Sequence, residues 1–324
     1  MSVQRSDELS ALVRDELVRP VPASAQAFAD ELRRRHGASL AGVLFYGSCL
    51  RRGSDEGVLD FYALVDDYRG AYRSRALRLA NAALPPNVFY LELPRGDTRL
   101  RAKYAVFSLR DFARAVQLSA LRTGTWARFC QPTVCAYARD GAALAALVDL
   151  LCAAVESAVL RGVALLPGEG DVRDVTPESL WLGLFRETYA SELRPENDDG
   201  PLAIYAADPP RYARALAAAL EALARADRVR VLEAAGERWR VACPPGSLAS
   251  ARRRAALRRP LAKAATTVQL LKSALTFGDW LPYALWKLER HTGTRLEPSE
   301  RQRRHPFVFG WPLIVRVLWK RELR

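Results

Sequence analysis

Cysteine and histidine are scarce in this chain, and what there is of them is scattered. The five cysteines, Cys49, Cys130, Cys135, Cys152 and Cys243, form no Cys-x-x-Cys pair, and the histidines are His36, His291 and His305. That pattern argues against a zinc site and against a disulfide framework, and it suits a reducing compartment. Internal repeats and low-complexity segments are missing too. No run reaches the roughly 18 to 20 apolar residues that cross a bilayer. The opening MSVQRSDELSALVRDELV is acidic early and lacks an apolar centre, which predicts neither a secretory signal nor an arginine-rich transit peptide. The expectation is a cytoplasmic protein, free or peripheral to the inner face of a membrane. Acid is the other shortage, and it is local. Beyond residue 250 there are 17 Lys and Arg against 5 Asp and Glu, whereas the first 250 residues hold 32 against 31. A patch of that kind seeks anions: nucleic acid, anionic lipid or a phosphorylated substrate.

What is present centres on the stretch Val43 to Tyr68, VLFYGSCLRRGSDEGVLDFYALVDDY. An apolar run ends abruptly at Gly47-Ser48, and a second run from Val58 carries Asp60 in its interior. A carboxylate inside a strand needs a reason. One is structural, a turn to cap or an arginine to pair with. The other is catalytic: a strand ending in Gly-Ser offers backbone amides to a triphosphate, and an acid on the adjacent strand holds the Mg²⁺ that the phosphates share. The eleven residues between Ser48 and Asp60 fit a short helical turn and a return strand, as in nucleotidyltransferases of the polymerase-beta superfamily. The usual pattern of that superfamily has a second carboxylate two residues later, on the same strand face, where it can bind the same metals; here Tyr62 stands at that position. Asp66 and Asp67 lie roughly 20 Å from Asp60 along an extended strand, too far to share its metal. Glu92, on a later strand, is a candidate for the missing ligand. Arg51 and Arg52 follow the Gly-Ser turn and face either phosphate or solvent.

Hydrophobic periodicity divides the chain into an α/β domain over residues 1–135, a mainly helical domain over 136–250, and a basic C-terminal region over 251–324. Strands are expected at Val43–Tyr46, Val58–Val65, Val88–Leu93 and Tyr104–Ser108, with a helix at Tyr72–Ala83. Helices are expected within residues 1–40, at Asp111–Leu121, at Gly141–Leu166, from Thr176 to Leu193, at Arg211–Ala224 and at Ala264–Leu275. Residues 195–210 read as a flexible loop or lid. The tail, RQRRHPFVFGWPLIVRVLWKRELR, sets Phe307, Phe309, Trp311 and Trp319 among six arginines and one lysine, the make-up of an interfacial membrane anchor or of a terminal helix docked on the protein itself.

Three stretches taken together resemble one family, the mitochondrial-type phosphatidate cytidylyltransferases, the translocator-assembly-and-maintenance class of CDP-diacylglycerol synthase. FYGSCL with LDFYALVDD is similar to that family's Tyr-Gly-Ser and Asp-Phe motifs, including a hydrophobic residue at the position of Tyr62. RAKYAVFSLRDFARAV and WARFCQPTVCAY resemble its Lys-Tyr-Gly-Val strand and a later Pro-x-Val segment. KAATTVQLLKSALTFGDW follows its Ser-x-x-Gln-x-x-Lys-Gly-x-x-Thr spacing through Thr266, Gln269, Lys272 and Thr276, with Ser273 in place of glycine. TYASELRP is a looser match, with the family's acidic residue near Glu192.

The resemblance implies a polymerase-beta-like nucleotidyltransferase domain that transfers CMP from CTP to phosphatidate at an anionic membrane surface, using Mg²⁺. Under it, Tyr46, Gly47 and Ser48 bind the nucleotide, and Asp60 is the metal ligand. Lys103 meets the phosphates, and Glu192 acts as a base or ligand. Lys263, Thr266, Gln269 and Lys272 grip the lipid phosphate. No nucleic-acid partner is expected. Two alternatives remain open: a nucleotidyltransferase acting on RNA or a small acceptor, and a non-catalytic peripheral membrane protein.

Overall fold

The computed structural model describes residues 7–191, 199–276 and 299–300. Glu192 and the tail from Arg301 lie outside them. The elements in order are α1 (Asp7–Leu17), α2 (Ala23–His36), β1 (Leu40–Tyr46), α3 (Ser48–Arg52), β2 (Val58–Val65), α4 (Tyr68–Ala71), α5 (Arg75–Ala83), β3 (Asn87–Arg95), β4 (Thr98–Ser108), α6 (Leu109–Ala115), α7 (Gly124–Phe129) and β5 (Val134–Ala138). There follow α8 (Gly141–Leu165), β6 (Val172–Val175), α9 (Pro177–Ser191), α10 (Asp199–Ala206), α11 (Pro209–Arg225), β7 (Arg230–Ala235), β8 (Arg238–Ala242) and α12 (Ser247–Thr276). This is a mixed α/β architecture.

The main sheet has the order β3-β4-β2-β1-β5, with β2 and β4 parallel and the other neighbours antiparallel. Alternation along its strands sorts two apolar sets to opposite faces. Val43, Phe45, Phe61, Ala63 and Tyr104 pack under α2 with Phe28 and Leu32. Leu44, Tyr62, Leu64 and Phe107 join Phe112, Phe129 and Leu147 on the other face. Asp60 and Lys103 share the face of Tyr62 by the same alternation, so the polar pair sits where that face runs past its covering helices.

The long helix α8 organises the rest. Asp140 caps its start by accepting a hydrogen bond from the Ala143 amide at 2.7 Å. By length and composition this 25-residue helix is apolar enough to cross a membrane, contrary to the expectation that no run reaches that size. Of its apolar window, 61% is buried inside the protein, as in a core helix. Helices α1, α7, α9 and α11 surround it. Helix α1 therefore packs chiefly with α8 and α11, touching the main sheet at its edge strand β5.

Several element boundaries differ from the sequence expectation. The helix expected at Tyr72–Ala83 is α5, which starts three residues later because Ser74 caps it at Leu77, and a separate single turn, α4, capped by Asp67 through the Arg69 and Gly70 amides, precedes it where none was expected. Helix α6 stops at Ala115, and α7 forms where no helix was expected. The proposed loop over residues 195–210 contains α10 and the first turn of α11, whose Pro209 and Pro210 occupy positions where a proline costs no hydrogen bond. Helix α12 starts at Ser247 rather than Ala264 and runs through Pro260. Its start is held by Asp171, which accepts from the Gly246 and Leu248 amides. The region read as mainly helical also holds a three-stranded antiparallel sheet, β6-β8-β7. Its strands are four to six residues long and their charges mask the alternation.

One buried ion pair ties the two halves together. Arg211 on α11 donates to Glu16 on α1 through Nε at 2.6 Å and Nη2 at 3.0 Å, and to the Cys130 carbonyl after α7. Its side chain is 1% exposed and that of Glu16 5%. Removing one member of such a pair strands a desolvated charge, which costs about 3–5 kcal/mol. Arg211→Met is expected to lose that much in denaturant unfolding, and the double variant Glu16→Met, Arg211→Met to regain most of it.

Candidate active site

Strand register assembles the site. Tyr46, at the end of β1, pairs with Asp60 on β2, and Asp60 pairs in turn with Lys103 on β4. Lys103 is thus inside a strand, not before one. Its ammonium lies 3.0 Å from Asp60 Oδ1, with side chains 42% and 15% exposed. No hydrogen bond of good geometry completes that buried oxygen.

Gly47 follows with φ +91° and ψ −162°, a region essentially closed to residues with a Cβ. A Cβ built there would lie 2.7 Å from Asp60 Oδ2. The glycine is required twice, by its backbone and by the carboxylate pressed against it. Ser48 then opens α3, where no side chain among the described residues caps the helix.

Tyr62, at the position of the absent second acid, is a packing residue. Its ring meets Tyr46 edge-on at 5.4 Å and Phe129 at 4.7 Å, and stacks on Phe107 at 5.7 Å. The substitution thus completes an aromatic floor beneath the polar pair. Among the described residues no group of three or more His, Cys, Asp or Glu side chains is disposed to hold a metal. With Oδ1 ion-paired to Lys103, Asp60 offers a single carboxylate to a divalent ion, which fits an ion that keeps most of its waters and does not fit an all-protein cage.

The other acids considered from sequence are engaged elsewhere. Glu92 accepts from the Tyr90 hydroxyl at 2.7 Å and pairs with Arg99 and Arg101, away from Asp60's cleft. Asp67 caps α4, and Asp66 pairs with Arg139 at 2.5 Å.

Tyr46, Gly47, Ser48, Asp60 and Lys103 open into one cleft of about 1770 Å³. Its walls include Arg51, the α6–α7 segment from Gln117 to Thr123, the Glu156 to Ala164 face of α8, and Thr266, Gln269 and Ser273 of α12. Two groups of residues far apart in the chain thus share a cavity.

On α12, the Gln269 amide donates to the Pro86 carbonyl and to Ser273 Oγ, while its Oε1 is buried without a hydrogen bond. The Lys272 ammonium donates to the carbonyls of Leu84 and Ala80 at the end of α5, and does not line the cleft. Lys263 lies on α12 with its side chain outside the described set.

Residues that sequence reasoning left unassigned also line the cleft. Arg161 of α8 forms a two-pronged pair with Glu187 of α9, Nε to Oε2 at 2.9 Å, beside Glu156, Thr188 and Phe185. The available signal was that Glu156 and Arg161 are, with Asp149, the three charges of a long and mostly apolar helix.

No protein-family model matches this chain, and no curated protein matches it.

Two outcomes follow from this geometry. Gly47→Ala is expected to lose about 1–3 kcal/mol in unfolding through backbone strain and displacement of Asp60, whereas Gly53→Ala, with no neighbour within 4 Å, is expected to lose only the backbone part. Burial, reinforced by the charge of Arg122, pushes Lys272 down from the ordinary 10.5 to about 8. Between pH 8 and 10.5 the unfolded chain then binds the extra proton, so this lysine's contribution to stability rises with pH across that window. In the difference between wild type and Lys272→Met, followed by unfolding from pH 7 to 10.5, wild type is expected to gain relative to the variant.

Proposed function

We propose that this chain is a nucleotidyltransferase that transfers CMP from CTP to phosphatidate. The observation that carries the reading is the shared cleft: the Gly47–Ser48 turn, Asp60 and Lys103 line it together with apolar and charged groups of α8 and α9 and with Thr266, Gln269 and Ser273 of α12. Its volume exceeds the roughly 300–1,000 Å³ of an ordinary small-molecule site, leaving room for a bulky amphiphilic acceptor beside a nucleotide.

In this reading the Tyr46–Ser48 turn seats the triphosphate, and Lys103 sets a positive charge beside it. Asp60 would hold a magnesium ion, which supplies charge neutralisation at the phosphates. An oxygen of the acceptor's phosphate, already anionic at neutral pH, forms the new bond to the α-phosphorus as the bond to the β-phosphate oxygen breaks and pyrophosphate leaves. Positioning and exclusion of water matter more here than a strong base. The resemblance of the YGS, LDF, AKY and TTVQLLK segments to phosphatidate cytidylyltransferases supports the choice of nucleotide and acceptor.

A second reading, transfer to another acceptor, is favoured by the engagement of Lys272 and Gln269 with backbone carbonyls, which leaves a lipid phosphate to be gripped by other groups.

The test is incubation of the full chain with Mg²⁺, phosphatidate vesicles and CTP, ATP or GTP, with products read by mass. CDP-diacylglycerol from CTP alone is expected, falling by about 100-fold or more in Asp60→Asn. A nucleotidyl product on a different acceptor supports the second reading. Wild-type turnover by Asp60→Asn, or no transfer from any nucleotide, removes the assignment.

A further inference from the structure

Arg51 and Arg52 are adjacent in sequence and separated by the fold. Arg52 is exposed, while Arg51 is half-buried and lines the cleft with Ser48, Asp60 and Lys103. Three residues apart on α3, Ser48 and Arg51 lie on the same helix face.

The environment of Arg51 is unusual for a partly buried guanidinium. Among the described residues it makes no ion pair. Its hydrogen bond goes from Nη1 to the neutral Oε1 of Gln131 at 3.0 Å. That amide is itself fixed in one orientation. Gln131 Nε2 donates to the Ala127 carbonyl of α7 at 2.8 Å, so its oxygen is the atom presented to Arg51. The chain Ala127 carbonyl, Gln131 amide, Arg51 guanidinium therefore aims a cation from the wall of the cleft without neutralising it. A carboxylate in place of Gln131 would hold the arginine more firmly and cancel its charge. A guanidinium kept charged and oriented beside a serine-bearing turn matches a phosphate oxygen in two-pronged geometry.

We propose that Arg51 is a binding residue for the polyphosphate of the substrate, and that Gln131 is the positioning residue that holds it there. This rests on reading the cleft as a nucleoside triphosphate site, and adds to the Gly47–Ser48 turn and Lys103 a third phosphate-binding element, the second that carries positive charge.

The probe is inorganic triphosphate with Mg²⁺, titrated calorimetrically into the full chain, with inorganic monophosphate as reference. Wild type is expected to prefer triphosphate. Arg51→Ala is expected to weaken triphosphate binding at least about 10-fold, and Arg51→Lys less, since charge is kept and the fork is lost. Gln131→Glu is expected to weaken it several-fold while leaving thermal stability unchanged or higher, an outcome that a purely structural role for Gln131 does not give. Triphosphate affinity unchanged in Arg51→Ala overturns the proposal, as does unchanged or tighter binding in Gln131→Glu. The cytidylyltransferase reading fails separately: Arg51-dependent triphosphate binding without transfer to lipid keeps the subsite and removes that activity. Transfer with an unaltered KM for CTP in Arg51→Ala does the reverse.

Discussion

The pairing of β1, β2 and β4 is the constraint on which the site depends. Side chains on a strand alternate, so a slip of one residue would send Asp60 to the α2 side of the sheet and Tyr62 out of its aromatic floor. The register that buries Phe61 and Ala63 on one face and Tyr62 and Leu64 on the other is also the one that puts Asp60 between Tyr46 and Lys103. Apolar burial of roughly 25 cal/mol per Å² over those strands far outweighs the cost of holding one partly covered carboxylate beside an ammonium. The polar pair is placed by the hydrophobic pattern around it, and Gly47 is the adjustment that lets the chain turn against the carboxylate.

The cleft exists because the sheet's second face is only partly covered. Helices α1, α7, α9 and α11 gather around α8, and the buried pair of Arg211 and Glu16 fixes α11 to α1 while reaching the Cys130 carbonyl just past α7. That arrangement leaves the Asp60 side chain open to the cleft, and α12, from the far end of the chain, packs on β3 and lines the same cleft, held by Gln269 and Lys272 on the carbonyls of Ala80, Leu84 and Pro86. Structural donors and cleft-lining groups are thus neighbours on one helix. This explains why chemical type alone did not separate them: a lysine that docks a helix and a lysine that grips a phosphate are the same residue in a sequence.

Much of the sheet was legible because its strands combine apolar runs with glycine and proline boundaries, and the Gly47-Ser48 to Asp60 spacing pointed to the pair of strands that carries the polar centre. The small sheet β6-β8-β7 was not legible. Its strands are short and half-exposed, and Arg230, Glu233, Arg238 and Arg240 break the apolar alternation that would have marked them. The extent of α12 was hidden for a related reason, since its cap is supplied by Asp171, about 75 residues away in the chain. Sequence likewise left Arg51 and Arg52 equivalent, and gave Tyr62 the look of a lost ligand.

Local chemistry was therefore settled by the sequence itself: a glycine that ends an apolar run, a serine after it, a carboxylate in an apolar strand, and an excess of positive charge near the C-terminus. These are properties of short stretches, fixed by backbone freedom, side-chain alternation and composition. Which of the polar residues face one another was decided only by tertiary structure. The joining of Asp60 to Lys103, of Arg51 to Gln131, and of the β-strand site to α12 all depend on contacts between segments some 40 to 200 residues apart, and such contacts are selected by packing of the whole core, not by any local pattern.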